Sequence, residues 1–106
     1  MEIIEKNQGR KIDFDVNGTN ITFADELMLK LAKLQRDDPV HKDICFDRDG
    51  ELVIGTAAGW AYVAEIDIPA KEYEYHEAEE GEEPEPPTPL PLDMDKVILS
   101  LWSVEK

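Results

Sequence analysis

Asp13 and Asp15 are two residues apart, and a carboxylate pair of this kind can serve as general acid and base in a hydrolase when burial separates the two pKa values. Here they alternate with Ile12, Phe14 and Val16, which puts both on the solvent face of a strand, where a carboxylate keeps its hydration. Asp47-Arg48-Asp49-Gly50-Glu51 has the alternating acids of a calcium loop. Counted from Asp47, however, the glycine and the final glutamate that an EF-hand requires fall on Leu52 and Ala58, so a hairpin turn is the simpler reading. Cys45 becomes a nucleophile only beside a base. The histidines are His41 and His76; His41 is expected to lie before the strand that carries Cys45, and the thiol reads as a small buried hydrophobe. One Cys and two His without ligand spacing do not make a closed zinc site. Gly55-Thr56-Ala57-Ala58-Gly59 lacks the Gly-Lys-Ser/Thr ending of a phosphate loop and leads into a strand. No catalytic residue, metal or cofactor is expected.

The residues best able to anchor a partner are aromatic, because large amphipathic rings dominate interface energetics. Trp60, Tyr62, Tyr73 and Tyr75 are the candidates, with Trp102 further on. In a small domain most such rings are needed for the core. Tyr73 and Tyr75 lie past Pro69 beside a run of acids, and are the two expected at the surface.

The elements that would position these residues are mainly strands. Lys11 to Phe23 predicts a β-hairpin, with Ile12, Phe14, Val16, Ile21 and Phe23 on one face and Asn17-Gly18 as its turn. From Ala24 to about Arg36 the apolar period lengthens: Leu27, Met28, Leu31 and Leu34 make one stripe, Asp25 and Glu26 precede it, and Lys33 and Arg36 close it. This predicts an amphipathic helix packed on the sheet. Ile44 to Asp47 and Glu51 to Thr56 predict a second hairpin around Asp49-Gly50. Trp60, Tyr62, Ala64, Ile66 and Ile68 then alternate with Ala61, Val63, Glu65 and Asp67, giving a long strand with one apolar face. Pro69 interrupts it and suggests an edge or a bulge before Tyr73 and Tyr75. Met94 to Val104 fits either period, and a strand closing the sheet is preferred over a helix. The fold class is α+β: a mostly antiparallel β-sheet built from hairpins with one amphipathic helix. Residues 1–106 are expected to form a single domain.

Charge narrows the partners. Acids outnumber bases 25 to 11, for a formal net charge of −14, which disfavours direct nucleic-acid binding through phosphate neutralisation and disfavours anionic membranes. Much of the excess lies in residues 77–91, where Glu and Pro dominate and apolar groups are few; a solvated loop is predicted. No apolar run approaches the roughly 20 residues of a membrane span. The single cysteine and the lack of a signal-like start point to the cytoplasm of a host cell.

Tyr62 to Ala70, then Pro89-Leu90-Pro91-Leu92-Asp93-Met94 and Leu99-Ser100-Leu101-Trp102, resemble phrases in small uncharacterised prophage proteins of Firmicutes. The likeness covers about half the chain and contains no catalytic signature. It implies a phage setting, with other phage proteins or a second copy of the chain as partners and the virion as a further location. The leading expectation is a non-enzymatic interaction protein, either a minor, tail-associated virion component or an assembly factor. The alternative is an acidic inhibitor that mimics nucleic acid in the cleft of a basic host nucleic-acid-binding protein, and an enzyme ranks third.

Overall fold

The computed structural model describes residues 1–83 and 85–104. Its strands are β1 (Glu2–Glu5), β2 (Phe14–Asn17), β3 (Asn20–Phe23), β4 (Leu27–Lys30), β5 (Val40–Phe46), β6 (Leu52–Ile54), β7 (Ala61–Ile68), β8 (Tyr73–Glu74), β9 (Thr88–Pro89) and β10 (Ile98–Leu101). Helix α1 (Leu31–Leu34) follows β4, and a 3-10 turn spans Met94–Lys96. The chain is mostly β-sheet with few helical residues. A five-stranded sheet runs β1-β10-β7-β5-β6, a three-stranded sheet runs β2-β3-β4, and β8 pairs with β9. Every pairing is antiparallel except that of β1 with β10, which makes the larger sheet mixed.

The inner face of the larger sheet and the apolar side of the smaller one share one core. Ile44, Ala64, Ile66, Ile68, Leu99 and Leu101 from the first meet Ile21, Phe23 and Leu29 from the second, with Ile12, Leu31, Leu92 and Val97 filling the ends. Each Ile, Leu or Phe so buried contributes about 1.5–3 kcal/mol. This is the main force holding the sheets together.

The long helix expected from Ala24 does not form. Ala24 and Asp25 both take positive φ, 52° and 55°, and Glu26 N–H closes a turn on the Phe23 carbonyl. The chain therefore reverses and pairs Leu27–Lys30 with Asn20–Phe23 as a third strand. Leu29 goes into the core opposite Ile21, while Met28, on the proposed helical stripe, is exposed. Four residues of the stretch are helical, and α1 has no side-chain cap at its start. The apolar residues Leu27, Met28, Leu29 and Leu31 suit either period, and tertiary pairing chooses.

Two other expectations shift. The first hairpin turns at Gly18-Thr19, with Asn17 and Asn20 as its last pair and Gly18 supplying φ 63° at the first loop position. β7 is not an edge strand, since β10 and β5 flank it; Pro69 comes just after its last residue, Ile68, where the missing N–H costs no ladder bond. The C-terminal segment is a strand over Ile98–Leu101, antiparallel to β7.

Residues 75–83 and 85–91 are all exposed. They are joined to the body by the short β8–β9 pairing, and the molecule measures 66 × 24 × 21 Å. The outer face of the larger sheet is the one turned away from the shared core.

Candidate functional site

That outer face carries the side chains that alternate with the core set. On β5 these are His41, Asp43 and Cys45; on β7, Glu65 and Asp67; on β10, Ile98 and Ser100. A bulge decides what joins them. Ile44 pairs with Ala64 but Cys45 pairs with Tyr62, so Val63 is the extra residue in β7. Val63 is buried, and Tyr62 is turned from the predicted apolar face to the outer one. Tyr62 is 43% exposed and Trp60 68% exposed.

Tyr62 is stacked on Trp102, with ring centroids 5.6 Å apart and planes 27° from parallel. The Trp102 indole N–H donates to Glu65 Oε2 at 2.8 Å. Trp60 lies beneath the Arg48 guanidinium, 5.0 Å from ring centroid to Cζ, and with Tyr62, Thr56 and Gly59 it borders a shallow hollow of about 150 Å³ over Cys45. Of the four aromatic candidates, Trp60 and Tyr62 are thus brought together on an open face. Tyr73 and Tyr75 belong to the β8 region instead. Tyr75 is exposed, as expected. Tyr73 is only partly exposed, because its hydroxyl donates to Asp37 Oδ1.

Beside the aromatic pair is a group that reading the chain alone does not assemble. His41 is inside β5, not before it. Antiparallel register sets His41 opposite Asp67 and Asp43 opposite Glu65. His41 Nδ1 is 2.6 Å from Asp67 Oδ1, and Nε2 is 2.8 Å from Asp43 Oδ1 and 3.5 Å from Glu65 Oε1. The Asp67 hydrogen bond, then that of Asp43, raises the His41 pKa above its ordinary value, against a smaller opposing effect of burial. Among the described residues no lysine or arginine makes an ion pair with Asp43, Glu65 or Asp67. The Asp43 charge also raises the Tyr62 pKa. Ligand atoms of His41, Asp43 and Glu65 lie within 4.8 Å of one another, so among the described residues these could hold a metal ion. The available signal was the spacing His41-x-Asp43 and Glu65-x-Asp67, which aligns only once the register is known.

The remaining chemical candidates are occupied or exposed. Cys45 is buried under Gly59, and burial, followed by the Asp43 and Glu65 charges, raises its pKa and disfavours the thiolate. Asp47 Oδ1 accepts the N–H groups of Asp49 and Glu51, which accounts for the acids of the second hairpin as a turn. Asp13 and Asp15 are exposed beside a shallow depression of the smaller sheet. Compared with known proteins, the chain matches no family model, no curated protein and no solved structure.

Proposed function

We propose that this chain is a non-enzymatic protein–protein interaction module that docks through the outer face of the five-stranded sheet. Its setting in this reading is phage morphogenesis, as a minor tail-associated virion component or an assembly factor, with other phage proteins or a second copy as partners. The observation that carries the proposal is the aromatic surface of exposed Trp60 and Tyr62 with half-buried Trp102, which no second layer covers among the described residues. Rings already held by a stack and a hydrogen bond lose little conformational freedom on binding, so more of their contact energy remains as affinity. Glu65, which accepts the Trp102 indole N–H, and Asp43, whose charge acts on Tyr62, border the rings, with Asp67 further along β7, and their charge favours a basic surface on the partner. The resemblance to prophage proteins supplies the setting.

The nucleic-acid mimic keeps one observation of its own. A mimic needs carboxylates on a rigid surface, and Asp43, Glu65 and Asp67 stand on adjacent central strands and not in the acidic loop. In that reading the partner is a basic host protein.

Both readings can be tested with the paired substitution Trp60→Ser and Tyr62→Ser, which alters exposed rings and leaves the core intact. Tagged wild type and variant are expressed in cells undergoing prophage induction, and particles are separated on a density gradient. Wild type travelling with particles or their assembly intermediates, and the variant not, supports the morphogenesis reading. Recovery away from particles, bound to a nucleic-acid enzyme that high salt releases, overturns it in favour of the mimic.

A further inference from the structure

The group around His41 has features that an interaction surface does not require. His41 and Asp43 are two residues apart on β5, Glu65 and Asp67 two apart on β7, and the register places the four as facing pairs. A strand period of two sends all four side chains to one face, at positions fixed by the ladder and not by a loop.

The distances suit a shared cation. Two ligands bound to one ion at 2.0–2.2 Å stand roughly 2.9–3.5 Å apart for angles between octahedral and tetrahedral. His41 Nε2 lies 2.8 Å from Asp43 Oδ1 and 3.5 Å from Glu65 Oε1. The three ligand atoms lie within 4.8 Å of one another, so an ion taking the place of the Nε2 proton would have both carboxylates at hand, with Asp43 and Glu65 turning to complete their bonds. The second nitrogen is also set for this role: Nδ1 is 2.6 Å from Asp67 Oδ1, and metal-binding histidines ordinarily donate their other N–H to a carboxylate, which orients the ring. Glu65 is oriented as well, because its Oε2 accepts the Trp102 indole N–H and its Oε1 faces His41. Finally, three carboxylates surround one imidazole with no lysine or arginine ion pair among the described residues, leaving negative charge that a divalent ion would neutralise.

We propose that His41 Nε2, Asp43 Oδ1 and Glu65 Oε1 bind one divalent first-row transition-metal ion, with Asp67 as the positioning residue and water completing the shell. The imidazole selects against magnesium and calcium, which prefer oxygen alone, and one nitrogen with two carboxylates suits zinc. The inference is independent of the docking role.

Trp102 provides a reporter, since a metal on Glu65 changes the charge beside its indole. The chain contains two tryptophans, so Trp60→Phe makes Trp102 the sole emitter. This chelator-stripped chain is titrated with zinc chloride at about pH 7.5, above the ordinary histidine pKa, by fluorescence and by calorimetry. Saturable binding of one ion per chain is expected, weakened at least about tenfold by His41→Gln or Glu65→Gln, about tenfold by Asp67→Asn, and unchanged by His76→Gln. Zinc should also shift the His41 imidazole proton resonances of the unsubstituted chain, a readout that does not depend on any variant folding. Absence of saturable binding, binding that His41→Gln leaves intact, or unmoved His41 resonances overturns the proposal. Binding confined to the acidic loop is one such outcome.

Discussion

Trp102 stacks on Tyr62 at 5.6 Å between ring centroids, although the two rings belong to segments 40 residues apart in the chain. The contact exists because β10 lies beside β7 and because the Val63 bulge turns Tyr62 outward. Without the extra residue, strict alternation from Ile68 back to Tyr62 would send the tyrosine into the core. The bulge therefore creates the aromatic surface, and the Trp102 hydrogen bond to Glu65 links that surface to the carboxylates around His41.

The stack and the hydrogen bond should separate by mutation. Trp102→Phe keeps an aromatic ring but removes the indole N–H, and should lower stability by about 1 kcal/mol. A double-mutant cycle of Trp102→Ala with Tyr62→Ala, in which each change removes a ring, should give by urea denaturation a coupling energy of about 0.5–1.5 kcal/mol for the ring pair. Additive losses would mean that the rings do not interact.

Stability should respond to pH through His41. The Asp67 hydrogen bond, then that of Asp43, raises its folded pKa above the ordinary value of 6.5. A raised folded pKa contributes stability that is complete below the unfolded value and lost as pH rises through the folded one. The groups facing the ring are Asp43, Glu65 and Asp67, with Cys45 next along β5. In chelator-treated buffer the stability difference between wild type and His41→Gln should therefore be larger near pH 6 than near pH 8.5. The ring is about half exposed, so the contribution should resemble that of a surface pair, roughly 0.5 kcal/mol. Urea midpoints at the two pH values read it directly, and a difference that grows with pH would contradict the assigned hydrogen bonds.

Which parts of this arrangement could be read in advance follows from range. Ile21 and Phe23 alternate beside a glycine turn, and Asp47 lies beside Asp49-Gly50; both hairpins are local and were legible. Leu27 to Lys30 was not, because its apolar residues suit a helix as well as a strand, and the deciding feature is a pair of positive-φ residues, Ala24 and Asp25, that carry no glycine to announce them. Glu2 to Glu5 shows no alternation and becomes a strand through a parallel pairing with residues near the other end of the chain. The His41 group was hidden for a related reason. Its spacings are visible, but its register depends on the β5–β7 ladder, and the bulge moves Tyr62 next to it without leaving any mark in the residue pattern.

A buried amide closes the body where β7 ends. Gln35 is 6% exposed, and its Nε2 donates to the carbonyls of Pro69 and Ala70 at 3.0 and 3.3 Å. Gln35→Leu preserves much of the volume but leaves both carbonyls without this donor, at a cost of about 1–3 kcal/mol. Thermal or urea unfolding measures the loss, and a neutral result would show that water or neighbouring groups replace the amide.

The crossing of the two ends of the chain makes the last prediction. Lys6 N–H donates to the Leu101 carbonyl, Ser103 N–H to Asn7 Oδ1, and Val104 N–H to the Arg10 carbonyl. Gly9 sits within this crossing at φ 125°, and a Cβ there would come within 2.9 Å of Ser103 Cβ. Gly18, at φ 63°, would place a Cβ in open space. Alanine at Gly18 thus meets only the cost of a positive-φ backbone, about 1–3 kcal/mol. Alanine at Gly9 meets a backbone cost of the same order together with the clash. Gly9→Ala should be the more destabilising of the two, and its excess should appear locally as faster hydrogen exchange of the β1 amides that pair with β10. Equal losses at the two glycines, with β1 exchange unchanged, would mean that the close approach to Ser103 does not hold the N-terminal strand in place.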